Sequence, residues 1–143
     1  MNTVLDAIVV SSDIESRRQL KRILDGSGID TICSSGISDC QEILASRDVD
    51  LIFCDSSLVD GTYRDLLQQL KLVDRKVKVV VTTRQAGWEE FLGAARLGAF
   101  DMIAAPCVPT EVKWVISQVV RVLRNERQAA RLDTRPPEVR LHS

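Results

Sequence analysis

The chain has 143 residues, 45% of them hydrophobic, and 19 basic against 20 acidic side chains for a formal net charge of -1. That length suits one ordinary domain, the apolar share excludes a disordered chain, and the balanced charge gives no electrostatic pull towards nucleic acid or an anionic membrane. No apolar run approaches a membrane span and residues 1–12 lack the basic start of a secretory signal, so a cytoplasmic protein without a membrane partner is expected.

Val4 to Val10 is rich in valine and isoleucine and reads as a strand. From Asp13 to Asp25 the residues Ile14, Leu20, Ile23 and Leu24 follow helical spacing, and Gly26 and Gly28 end that helix. Ile29 to Cys33 is a second short strand, and Ser38 with Gln41 reads as a capping box opening a helix through Ser46. Val49 to Cys54 is the third strand, followed by a loop from Asp55 to Gly61 and a helix with Leu66, Leu67 and Leu70 on one face. Val77 to Val81 is almost wholly β-branched and apolar, the pattern of a central parallel strand covered on both sides. Trp88, Phe91, Leu92 and Ala95 fall at helical spacing, which suits a partner-binding face with the last helix but favours a face packed on the core, with Trp88 its most exposed member; Gly98 stops the helix. Phe100 to Ala104 is the fifth strand. Pro109 and Thr110 open a long last helix with Val112, Val115, Ile116, Val119 and Leu123 inward. Residues 1–125 are expected to form the domain, and 126–143 a helix extension and a polar, proline-bearing tail or linker.

Five strand–helix units with short connections predict an α/β fold, a doubly wound five-stranded parallel sheet with helices on both faces. Function in such sheets gathers at the carboxyl ends of the strands. Those ends carry Ser11, Ser12 and Asp13, then Asp55, then Thr82 and Thr83, then Ala104 to Pro106. No glycine-rich phosphate loop follows a strand, and no catalytic histidine falls at these positions, so an enzyme is not expected. Cys33, Cys40, Cys54 and Cys107 lack CxxC spacing and the only histidine is His142, so reduced, partly buried thiols are expected instead of a zinc site.

A carboxylate after an apolar strand can cap a loop, or it can accept a phosphoryl group by nucleophilic attack. Val49 to Asp55, followed by Asp60-Gly61, resembles the phosphoacceptor strand and loop of the CheY-like response-regulator receiver domain, a (βα)5 fold of flavodoxin type. Other segments match in order. Ile8 to Asp13 with Arg17, Arg18 and Leu20 is similar to that family's first strand and helix, Val79 to Thr83 to its fourth strand, Leu97 to Asp101 to the segment before its fifth, and Ala105-Pro106 to its Lys-Pro. The resemblance covers about residues 4 to 125. It implies two-component, phosphorelay signalling, with a histidine kinase or a downstream effector as protein partner and Asp55 as phosphoacceptor. The switch hydroxyl falls on Thr82 or Thr83, and Pro106 follows a cis bond in relatives.

The resemblance also marks losses. The family's acidic metal ligands fall on Ser11 and Ser12, and its lysine on Ala105. Only Asp55, a carbonyl near Ser57 and Asp13 remain to hold magnesium, and Asp13 is well placed to cap the first helix instead, so weak or no Mg2+ binding is expected. Without neighbouring carboxylates to repel it, Asp55 needs no metal to be stable. The expectation is a divergent receiver, a pseudo-receiver, acting through protein–protein contacts. The alternative is a working phosphoacceptor switch within a longer transcriptional regulator. Trp88 and Trp114 are the expected docking face, with the fourth helix, fifth strand and fifth helix, and a homodimer is compatible with it. Arg121, Arg124, Arg127 and Arg131 form a stripe on the last helix that reads as a solvated face, a docking stripe for an acidic partner or the start of a coiled linker.

Overall fold

The computed structural model describes residues 5–73, 75–85 and 87–132; Val4 and the expected tail after Leu132 lie outside them. In chain order the elements are β1 (Asp6–Val10), α1 (Ile14–Gly26), β2 (Asp30–Ser34), α2 (Ile37–Ser46), β3 (Leu51–Asp55), β4 (Ser57–Leu58), β5 (Gly61–Thr62), α3 (Tyr63–Leu72), β6 (Lys78–Thr83), α4 (Trp88–Arg96), β7 (Asp101–Ala104) and α5 (Pro109–Leu132). Five strands make one parallel sheet in the order β2-β1-β3-β6-β7, and β4 with β5 makes a small antiparallel hairpin after β3. The fold is the doubly wound, flavodoxin-type sheet that the strand–helix alternation predicts.

Both faces of the sheet are covered, which is why its strands read as unbroken apolar runs. Alternate side chains feed two cores. Ile8, Val10, Ile52, Cys54, Val79 and Val81 pack under α2, α3 and Ala94 of α4. Ala7, Val9, Leu51, Phe53 and Val80 pack with Leu20 and Leu24 of α1 and Val112, Val115 and Val119 of α5. The strand order reverses at β1, which sits between β2 and β3. Ser11 and Asp55 close this pair of strands, so they meet at the switch point where such sheets form their crevice.

Two local expectations are overturned. Ser38 does not cap α2: the helix starts at Ile37 with Gly36 in the cap position and no capping side chain of its own. The cap comes from the loop after β3, where Asp60 accepts the Ile37 N–H at 2.9 Å and the Ser38 N–H at 3.0 Å. Gly36 makes room for it, since a Cβ there would lie 2.6 Å from Asp60 Oδ1. Gly61, at φ +149, then turns the hairpin away. The predicted inward face of α4 is also wrong. Trp88 is 71% exposed, as expected of it, but Phe91 and Ala95 stand outside as well, and the small Ala94 is the residue that reaches the core. Trp88 stacks on Phe91 with centroids 5.7 Å apart, so the stripe packs on itself in water.

Candidate functional site

At the carboxyl ends of β1, β3 and β6 three side chains converge. The Ser11 hydroxyl donates to Asp55 Oδ2 at 2.5 Å, and the Thr82 hydroxyl donates to Asp55 Oδ1 at 2.5 Å. Parallel register sets this geometry: Val10 lies beside Cys54, so Ser11 continues next to Asp55, and Asp55 pairs with Thr82. Ser11 and Thr82 are buried while Asp55 is half-buried, so two neutral donors from inside hold a carboxylate that faces a cleft. Thr83 points elsewhere, its hydroxyl accepting the Gln85 N–H at 3.1 Å. Of the two threonines, Thr82 is the one that faces Asp55.

Ser12 and Asp13 do different work. The Ser12 hydroxyl donates to Ser35 O at 3.0 Å and accepts the Val59 N–H at 2.9 Å, joining the loop after β2 to the β4–β5 hairpin. Asp13 caps α1, accepting from Glu15 N–H at 3.1 Å and from the Ser16 hydroxyl at 2.9 Å. The Ser16 hydrogen bond, then the Glu15 N–H, hold its carboxyl below the usual range. Arg84 reaches across to Asp13 at 3.8 Å. Arg17 Nη1 donates to the Ser11 carbonyl at 2.6 Å, fixing the backbone beneath the site.

The cleft over Asp55 has a volume of about 330 Å³; Ser57, Thr83, Arg84 and Ala105 are among its walls. Pro106 follows Ala105 through a cis peptide bond. Among the described residues no group of three or more His, Cys, Asp or Glu side chains is arranged to hold a metal ion. The four cysteines are free thiols, Cys40 and Cys54 being buried. Trp114 is 63% exposed on α5. In the arginine stripe, Arg127 pairs with Asp50, the residue just before β3, at 3.5 Å and Arg121 donates to Gln118 at 2.6 Å. Asp60 is the site-forming residue that sequence reasoning passed over as a simple turn; its sequence signal was only the Asp-Gly pair.

Residues 7–117 match the model of the response regulator receiver domain. The chain is 25% identical over 129 residues to the response regulator protein PilR of Pseudomonas aeruginosa, covering 90% of this chain and 29% of that protein. The chain thus spans less than a third of the length of the curated relatives it matches. Among solved structures it is similar to the signal receiver domain of a putative Luxo repressor protein from Vibrio parahaemolyticus (TM-score 0.82, 16% identity, 89% of this chain and 98% of that one). It is similar too to NtrX from Brucella abortus (TM-score 0.84, 21% identity, 94% of this chain and 31% of that one). No described helix is long and apolar enough to cross a membrane. With the parallel sheet, the strand-end aspartate and the match over residues 7–117, the chain belongs to the response regulator receiver domain family.

Proposed function

We propose that this receiver domain is a pseudo-receiver, a cytoplasmic interaction module of two-component signalling that works without a conventional aspartyl phosphate. The observation that carries the reading is the Ser11 hydroxyl on Asp55 Oδ2 at 2.5 Å. The donor set does not fit a magnesium ion. Ser11 spends its hydrogen on Asp55, Ser12 is spent on two loops, and the Asp13 carboxylate is held by the first turn of α1. Magnesium favours charged oxygens and gives up water reluctantly, so neutral hydroxyls already in use are poor replacements for carboxylates. Ala105 brings no cation to stabilise transferred phosphoryl oxygens. The serines serve instead as fixed cross-links that hold the strand-end loops in one arrangement.

Partner proteins, a kinase or an effector, dock in this reading on the side built by α4, β7 and α5, where Trp88 and Trp114 stand exposed. Longer relatives support a place within a larger regulator, with residues 1–125 as the domain and 126–143 as extension and linker. The test is a calorimetric titration with magnesium chloride. No heat of binding is expected; tight binding that Asp55→Asn removes would sink the reading. A second reading, a phosphoacceptor switch on Asp55, draws on one observation: the Thr82 hydroxyl stands on Asp55 at the wall of an open cleft.

A further inference from the structure

Helices α2 and α3 cover the same face of the sheet, and a groove of about 390 Å³ runs between them. Its apolar lining comes from Leu44 and Ala45 of α2 and from Leu66, Leu70 and Val73 of α3 and its cap. The three leucines are buried while Ala45 and Val73 are exposed, so the leucines make the floor and the other two the lips. The Gln41 side-chain amide donates to the Gln69 amide oxygen across the groove, tying the helices together one turn before Ala45 and one turn before Val73. The volume lies in the range of small-molecule sites, about 300–1,000 Å³, and such sites are mostly apolar with a few placed polar groups.

The placed polar group here is Arg75, which also lines the groove. Its backbone N–H donates to the Leu70 carbonyl at 2.9 Å and its Nη2 to the Arg47 carbonyl at 2.6 Å, so the side chain spans from the end of α3 to the end of α2. The guanidinium keeps further N–H donors beyond that one. Among the described residues Arg75 makes no ion pair, and neither do the exposed Arg47 and Asp48 beside it. A carboxylate suits those donors better than a neutral group, because a charge-assisted hydrogen bond is the stronger kind. An apolar trough that ends on an unpaired guanidinium is complementary to an alkyl chain that ends in a carboxylate.

We propose that this groove binds a free medium-chain fatty acid, with its alkyl chain along Leu44, Leu66 and Leu70 and its carboxylate on Arg75. The groove shares no residue with the cleft over Asp55 and includes neither Trp88 nor Trp114. It gives the domain a small-molecule input that holds under either reading of Asp55.

The probe is decanoate, kept below the concentration at which it forms micelles and titrated into isotope-labelled full chain at neutral pH and constant ionic strength. Saturating amide shifts are expected at Leu44, Ala45 and Val73. From hexanoate to decanoate the affinity rises about twofold per methylene, as for a chain half withdrawn from water. Decyltrimethylammonium, with the same chain and the opposite charge, binds at least about fivefold more weakly, and Arg75→Gln lowers the affinity for decanoate about fivefold, as for loss of one partly exposed ion pair. Ala45→Phe fills the groove without changing any charge and abolishes binding. Because Ala45 is exposed on α2, this variant folds and decides the matter if Arg75→Gln does not. Absence of shifts, equal affinity for the two head groups, no dependence on chain length, or binding undiminished in Ala45→Phe overturns the proposal. So do shifts at these amides from phosphatidylglycerol vesicles with none from decanoate, which make the face a membrane contact instead.

Discussion

Ser11 and Asp55 sit side by side at the ends of β1 and β3, and the hydroxyl of one donates to the carboxylate of the other at 2.5 Å. Ser11 is buried, so this bond cannot be exchanged freely for water. Ser11→Ala leaves Asp55 Oδ2 short of a partner and should destabilise the domain by about 1–2 kcal/mol in urea unfolding. A loss below a few tenths would mean that the bond contributes little.

Ser11→Asp reverses the electrostatics. It sets a second carboxylate against Asp55 and should lower the melting temperature in the absence of metal. Magnesium chloride should then restore it, because the ion binds only the folded site. The wild type should melt at the same temperature with and without the salt. Scanning calorimetry of the two proteins in both buffers checks this.

The cap on α2 makes a sharper stability prediction. Asp60→Ala should cost about 1 kcal/mol. Gly36→Ala should cost a similar amount, because its Cβ would displace the same carboxylate. The double variant should cost little more than either single one, since both remove one interaction. The Ser38 N–H, then the Ile37 N–H, hold the Asp60 carboxyl below its ordinary value of 3.8. A depressed carboxyl adds stability above the unfolded value, and that stability is lost as pH falls through the folded one. The wild type should therefore lose its margin over Asp60→Ala below about pH 4.

The thiols should separate by reactivity. Burial pushes Cys40 up to about 12 and raises Cys54 still further, with Cys40 and the Asp55 charge adding to it. Burial, then Asp55, raises Cys107 to about 11. The thiolate is the reactive form, so at neutral pH Cys33 should react first with a disulfide reagent, and Cys40 and Cys54 only on unfolding. The stability from these neutral thiols is present below the ordinary value of 9.0 and is lost as pH rises towards 12. Labelling followed by peptide mapping gives the order.

The two tryptophans should behave as surface residues. Trp88→Ala and Trp114→Ala should each change stability by no more than about 0.5 kcal/mol, against about 3–5 kcal/mol for Phe53→Ala in the core. Their fluorescence should be quenched by acrylamide in the native state almost as fully as in urea. Strong protection of either indole would contradict the exposed α4 and α5 faces.

The sheet was legible because Val79 to Val81 and Leu51 to Cys54 are apolar on both alternating faces, a pattern that only a doubly covered strand requires. The cluster of Ser11, Asp55 and Thr82 was legible in outline, since strand ends are where such sheets place polar groups. Which threonine turns to Asp55 was not. Neighbouring strand residues point to opposite sides, and only the pairing of Asp55 with Thr82 decides between them. The Asp60 cap was hidden because it reaches 23 residues back to Ile37, and local capping rules scan only a few residues. The face of α4 was misread because helical spacing finds an apolar stripe but not the small Ala94 beside it that lets the helix approach the sheet.

The most direct measurement is intact mass after incubation with acetyl phosphate and magnesium, comparing wild type, Asp55→Asn and the triple variant Ser11→Asp, Ser12→Asp, Ala105→Lys. The pseudo-receiver account predicts no phosphoryl gain on the wild type or on Asp55→Asn, and a single gain on the triple variant, where the missing charges return beside Asp55. A one-phosphoryl gain on the wild type that Asp55→Asn abolishes would contradict it and make this domain a working switch.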